Sequence, residues 1–169
     1  MPGVTTGGLV VRQGVPQDAG ALYELSLRAI HTSAAEHYST AELAAWASRR
    51  SPEGHRRMLE QTYLLVAEAD GTIAGFANLE AGTEAGAGVV DQLFVSPHSG
   101  GRGVARTLLD ALEGHAVSQG MSHLDSHVSK RAIGVFERCG YRRVETERVT
   151  IDGEVLERYL VRKQLPPGI

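Results

Sequence analysis

Residues 93–109 read Leu-Phe-Val-Ser-Pro-His-Ser-Gly-Gly-Arg-Gly-Val-Ala-Arg-Thr-Leu-Leu. An apolar run stops at Pro97, glycines follow at positions 100, 101 and 103, and a helical pattern starts at Val104. Glycines here let the backbone approach a ligand closely with its amide hydrogens turned outward. Unpaired amides and the positive end of the dipole make such a helix start a place for a phosphate or pyrophosphate. Gly101, Arg102, Gly103, Val104, Ala105 and Arg106 form that cradle, and the guanidinium groups of Arg102 and Arg106 can add charge-assisted hydrogen bonds. A P-loop is excluded, because neither Gly-Lys-Ser nor Gly-Lys-Thr occurs in the chain. A dinucleotide turn needs a glycine where Arg106 stands, and it opens a βαβ unit instead of following a hairpin. A ligand-free strand-to-helix turn is the competing reading.

The elements that must position this turn are legible around it. Residues 9–12 read as a strand, and residues 19–30 as a helix with Leu22, Leu25, Ala29 and Ile30 on one face. Ser39 and Glu42 make a capping box for a second helix, and Pro52 suits the first position of a third. Asp70-Gly71 and Asp152-Gly153 are two-residue hairpin signals. They join strands over 63–69 and 72–80, and over 141–151 and 154–163. Between the hairpins fall a strand over 89–95, the glycine turn, a helix to about Gln119, a strand over 123–127 and a helix over 130–139, which Gly140 ends. Residues 81–88 and both termini read as mobile. The expectation is one α/β (α+β) domain over residues 1–169: a mixed, mostly antiparallel twisted sheet of six to seven strands flanked by four to five helices.

Composition narrows the function classes. The 169 residues are 42% hydrophobic and 22% charged, with a net charge of −3, so neither a membrane protein nor a basic nucleic-acid footprint is expected. No apolar run approaches the roughly 20 residues that span a bilayer, and residues 1–8 lack the pattern of a secretory signal. The single cysteine, Cys139, excludes an intramolecular disulfide and a cysteine-rich zinc site, and reads as a buried structural thiol in a cytoplasmic protein. Arg49, Arg50, Arg56 and Arg57 read as a solvated helix face.

The glycine turn resembles that of the GNAT superfamily of N-acetyltransferases, whose R/Q-x-x-G-x-G/A pattern follows an apolar strand ending in V-x-P. Val95-Ser96-Pro97 fits the lead-in, Gly103 and Ala105 fall on the small positions, and Gly100 replaces the Arg or Gln. The family's later A-x-x-F-Y-E-x-x-G-F is similar to Ala132-Ile-Gly-Val-Phe-Glu-Arg-Cys-Gly-Tyr141. Together the likeness covers about residues 62–165. Tyr38, Ser39, Leu43 and Trp46 also resemble the Y-S-x-x-x-L-x-x-W of a bacterial subgroup.

The resemblance implies an acetyl-CoA-dependent N-acetyltransferase whose acceptor is a primary amine on a small molecule, protein or peptide, without a metal. Leu93, Phe94 and Val95 would bind the pantetheine arm through their backbone and polarise the thioester. Residues 101–106 would hold the pyrophosphate. Ser129 stands where relatives often have asparagine, and Phe136 where many have the tyrosine that protonates the departing thiolate; Tyr141 and Tyr159 are alternative donors. Asp91 is the first candidate for the general base, with His127 and His123 as alternatives. Tyr38, Trp46 and His31 are expected to line the acceptor pocket. A homodimer is left open. A non-catalytic acyl-CoA sensor remains the alternative function, kept alive by Phe136, and a dinucleotide-binding protein is the third.

Overall fold

The computed structural model describes residues 3–6 and 8–168. Its sheet has the order β1-β2-β3-β4-β5-β6-β8-β7. The strands are β1 (Val4–Thr6), β2 (Leu9–Gln13), β3 (Tyr63–Ala69), β4 (Thr72–Ala81), β5 (Ala87–Val95), β6 (His123–Ser129), β7 (Arg142–Ile151) and β8 (Glu154–Gln164). Every neighbouring pair is antiparallel except β5 and β6. The mixed, mostly antiparallel sheet is as expected, with one more strand than six to seven. The addition is β1, in a segment read as a flexible lead; Met1, Pro2 and Gly7 of that lead lie outside the described residues. Residues 82–86 form a tied turn, with the Gly82 amide donating to the Ala87 carbonyl at 2.8 Å.

The helices are α1 (Ala19–Ser33), α2 (Thr40–Ser48), α3 (Pro52–Gln61), α4 (Val104–Ser118) and α5 (Ile133–Arg138). Both capping hydrogen bonds of Ser39 and Glu42 form, at 3.1 and 2.8 Å. Asp70-Gly71 and Asp152-Gly153 all take positive φ, as their hairpin turns require. The last helix is shorter than residues 130–139, because Lys130–Ala132 are spent on the turn that Ser129 caps.

Alternation along β3 divides the core. Leu65 and Ala67 face α4, while Leu64 and Val66 face α1. Leu108, Leu109 and Leu112 of α4 are fully buried, each contributing about 1.5–3 kcal/mol relative to exposure. A third cluster joins Ile30, Ala34, Tyr38 and Leu43 to Leu156, which docks α1 and α2 on the closing hairpin. The helices α1 and α4 therefore clamp opposite faces of the sheet on either side of β5.

Candidate active-site cleft

The parallel pair β5 and β6 holds together only at its start, where Ala87, Gly88 and Val89 face His123, Leu124 and Asp125. Buried Ser126 bridges the next step, its hydroxyl donating to the Val90 carbonyl at 2.6 Å. Beyond it the strands diverge. The cause lies in β5, where Asp91 is an extra residue between the pairs Leu79↔Val90 and Asn78↔Gln92. Such a bulge bends its strand and increases the local twist. Fully buried Asn78 fixes it, accepting from the Gln92 amide at 2.8 Å and donating to Thr62 Oγ1 at 3.1 Å. The divergence opens a cleft of about 390 Å3, with Leu93, Phe94 and Val95 on one wall and Val128 and Ser129 on the other. The volume suits a ligand arm laid between strands.

At one mouth of the cleft the glycine turn enters α4. Gly101 and Gly103 have φ of +78° and +73°, and a Cβ built at Gly100, Gly101 or Gly103 would meet nothing within 4 Å. Among the described residues no side chain caps α4, and the amides of Val104, Ala105 and Arg106 have no backbone partner. Free amides around open space are what a pyrophosphate needs. Val104 contributes only its amide, because its side chain is buried against Gly75, where an added Cβ would come within 2.7 Å of it. Gly100 and Ala105 line the cleft. Arg102 does not; it faces a separate hollow beside Arg28 and His98. Arg106 donates to the Arg138 carbonyl at 2.9 Å, away from the turn, while its charge stays exposed.

The inner wall contains Phe136, 1% exposed, with its ring 5.0 Å from that of Tyr141 in an edge-to-face pair. Neither Tyr141 nor Tyr159 lines the cleft. The Tyr141 hydroxyl is sealed in the core without a partner among the described residues, and burial drives its pKa far up, so the proton is held and not offered. Cys139 is buried, and desolvation raises its thiol pKa, as a structural thiol requires.

The proton-accepting candidates separate. Asp91 is exposed on the bulge and lines both the cleft and a neighbouring polar cavity of about 260 Å3. His127 lines the cleft, with Nδ1 2.6 Å from Glu147 Oε1, and Arg158 holds the same oxygen at 3.1 Å. Glu147 fixes the ring, leaving Nε2 as the free nitrogen. His123 does not reach the cleft; it is buried where β5 and β6 remain paired.

Tyr38 and Trp46 stand in the outer wall, 5.8 Å apart edge to face, with Phe94 6.2 Å beyond Trp46. The Tyr38 hydroxyl is fully used, donating to the Glu157 carbonyl and accepting from the Lys130 amide, each at 2.9 Å. His31 is exposed and absent from the wall, because Ala29, Ile30 and Ala34 turn the other face of α1 to the cleft. Sequence reasoning missed Asn78, Glu147 and Arg50. Glu147 alternates with outward residues on β7, and Arg50 sits within a run of arginines; neither pattern distinguishes it. Among the described residues no group of three or more His, Cys, Asp or Glu side chains could hold a metal, and no helix is long and apolar enough to cross a membrane.

Comparison with known proteins agrees with this construction. The model of the acetyltransferase (GNAT) domain matches residues 34–153. An uncharacterised N-acetyltransferase of Escherichia coli, YafP, is 29% identical over 153 residues, covering 90% of this chain and 93% of its own. A GCN5-related N-acetyltransferase structure from Rhodopseudomonas palustris superimposes with a TM-score of 0.84 at 30% identity, over 98% of this chain and 99% of that one. A putative acetyltransferase from Salmonella typhimurium, solved with its cofactor acetyl-CoA, has the same fold at 18% identity, a TM-score of 0.72 and coverage of 95% and 96%. The chain belongs to the GNAT acetyltransferase family and is an acyltransferase.

Proposed function

We propose that the chain, acting as one domain, transfers the acetyl group of acetyl-CoA directly to a primary amine of a small molecule, protein or peptide. The observation that carries this reading is the divergence of β5 from β6 after Val89, which aligns an open strand edge with the free amides of α4. The pyrophosphate is held by the backbone of residues 101–106, and the pantetheine arm lies along Leu93, Phe94 and Val95. An amide on that edge stabilises charge growing on the thioester oxygen, a contribution of about 2.7–4 kcal/mol where one such donor is removed. The amine nitrogen attacks the carbonyl carbon, the new C–N bond replaces the C–S bond, and the nitrogen's proton passes to Asp91 or to Nε2 of His127, directly or through water. With Phe136 unable to donate, the thiolate leaves unassisted or takes a proton from water. Cys139 is buried outside the cleft, and the hydroxyls of Ser126 and Ser129 are engaged with backbone groups, which supports direct transfer over a covalent enzyme intermediate. A cytoplasmic location fits the lone, buried cysteine.

The test combines binding and turnover. Acetyl-CoA at 100 times its dissociation constant should stabilise the fold by about 2.7 kcal/mol, and an amine panel should release CoA thiol. Stabilisation without release from any amine would favour a sensor. Stabilisation by NADPH instead of acetyl-CoA would refute the reading.

A further inference from the structure

Arg50 stands in the turn between α2 and α3, half-buried, and lines both the cleft and the polar cavity beside it. Neutral groups hold its guanidinium. Nε donates to Ser26 Oγ at 3.3 Å, while Nη2 donates to Gln92 Oε1 at 2.6 Å and to His55 Nε2 at 2.8 Å. The guanidinium carbon lies 4.8 Å from the centre of the Phe94 ring. His55 is only 3% exposed, and its Nδ1 is 2.8 Å from the Ser51 carbonyl. A carbonyl only accepts, so Nδ1 carries the hydrogen and Nε2 offers Arg50 a lone pair. Burial, assisted by the charge of Arg50, keeps that imidazole pKa low and the ring neutral.

These contacts use three of the five N–H donors of an arginine. Nη1 donates to no protein atom among the described residues and is not sealed from solvent, in a residue that lines both cavities. None of the ion pairs formed by described residues includes Arg50. Asp91 acts on it through space, without contact. Desolvation pulls the guanidinium pKa down to about 10, the mark of a cation withdrawn from water without a bonded counter-charge. Arg49 and Arg57 line the same polar cavity, as do Glu80 and Asp91.

We propose that Arg50 is the receptor for an anionic group, a carboxylate or phosphate, carried by the same acceptor molecule that presents the amine. The proposal rests on the acyl-transfer reading and specifies its substrate class. Four neutral neighbours fix the guanidinium plane before binding, and the free Nη1 edge supplies charge-assisted hydrogen bonds at no further cost in orientation. Asp91 shares both cavities with Arg50. An acceptor with an amine at one end and an anion at the other therefore meets one of the two candidate proton acceptors and the anion receptor in adjoining space. A polyamine or a plain alkylamine offers nothing to Arg50.

The test uses matched probes: glycine, β-alanine and 4-aminobutyrate against their carboxamides, and O-phosphoethanolamine against ethanolamine. Calorimetry on the CoA-loaded protein and CoA-thiol release with acetyl-CoA are both read. At least one anionic probe should bind or react 10- to 100-fold better than its neutral twin, the range expected of hydrogen bonds to a charged group. Arg50→Gln should reduce that ratio to within about threefold, and Arg50→Lys, which keeps charge without the fork, should fall between. A purely structural arginine would change both twins alike. Absence of any anionic preference in the wild type, or a preference that survives Arg50→Gln in a protein still stabilised by acetyl-CoA, overturns the proposal while leaving acyl transfer intact. Failure of acetyl-CoA to stabilise the wild type overturns both.

Discussion

The two halves of the cleft are built differently. The half proposed to hold acetyl-CoA is backbone: a strand edge released by a bulge, a glycine turn and three free amides, mostly within β5 and the start of α4. The half proposed to hold the acceptor is side chains: Tyr38 and Trp46 from the early helical segment, Arg50 from the turn between α2 and α3, and Glu157 and Arg158 from β8. Backbone recognition depends on where glycine and proline fall, so it can stay constant while the rest of the sequence varies. Side-chain recognition depends on which distant segments meet, and it can change with one substitution. On the proposed reading, the first half indicates the reaction and the second selects the acceptor.

The strongest way to break this division is to show that the chemistry depends on the cofactor half alone. Asp91→Asn and His127→Gln should separate: loss of the general base lowers turnover 10²- to 10⁴-fold while acetyl-CoA affinity is retained. Steady-state kinetics of both variants on one acceptor identify the base. A fall below tenfold in each would leave neither as the proton acceptor. Glu147→Gln should follow His127→Gln in direction if the histidine is the base, because Glu147 fixes its ring.

Next in size is Gly103→Glu. The position needs a φ of +73° and borders open space, so a side chain fits sterically but places a carboxylate among the amides. The stabilisation of about 2.7 kcal/mol expected at 100-fold excess acetyl-CoA should vanish, with only about 1–2 kcal/mol lost from the unliganded fold for the left-handed backbone. Thermal unfolding with and without acetyl-CoA measures both. An unchanged ligand shift in the folded variant would move the pyrophosphate away from the turn.

Legibility in the sequence follows the same division. The hairpins at Asp70-Gly71 and Asp152-Gly153, the capping box of Ser39 and Glu42 and the helix stop at Gly140 are local devices, and each stands where the residues predict. The glycine turn is legible for the same reason. The bulge at Asp91 was not, because Asn78 fixes it from the neighbouring strand. Arg49, Arg56 and Arg57 are exposed as a solvated arginine run should be, but Arg50 leaves the run where α2 ends and reaches Gln92, 42 positions away. His31 failed for a geometric reason: one residue beyond Ile30 on a helix turns about 100° off the buried face. Strand β1 went unread because its three residues carry little pattern.

A smaller effect tests whether the acceptor wall is only a wall. Tyr38→Phe keeps the ring against Trp46 but removes the hydroxyl that joins Glu157 on β8 to Lys130 on the β6–α5 turn. The part-buried carbonyl and amide then lose a shared partner, at about 1 kcal/mol of stability. Denaturant unfolding should register that loss, with acetyl-CoA binding preserved. A catalytic loss larger than the stability loss explains would give the hydroxyl a direct role and blur the distinction between the halves.

The smallest expected effect concerns acid, and it compares two anchors of the frame around the cleft. Asp18 receives both terminal nitrogens of Arg12, at 2.8 and 3.0 Å, and the Val15 amide at 2.9 Å, fixing the entry to α1. Asp125 receives Arg162 in the same forked manner at 2.6 and 2.9 Å, tying β6 to β8. Each carboxyl pKa is lowered, chiefly by its arginine hydrogen bonds against a partial desolvation penalty. A depressed folded pKa means that the unfolded chain binds the proton first. The stabilisation is complete above the unfolded value of about 3.9 and disappears as pH falls through the lower folded value. Each pair is partly exposed to solvent, which limits its worth to about 1 kcal/mol. Asp18→Asn and Asp125→Asn should each lower stability at pH 7 by about that much and flatten its decline below about pH 4. Denaturation midpoints between pH 2 and pH 7 read both slopes. A variant as steep as the wild type would show that its carboxylate has no part in the acid sensitivity of the fold.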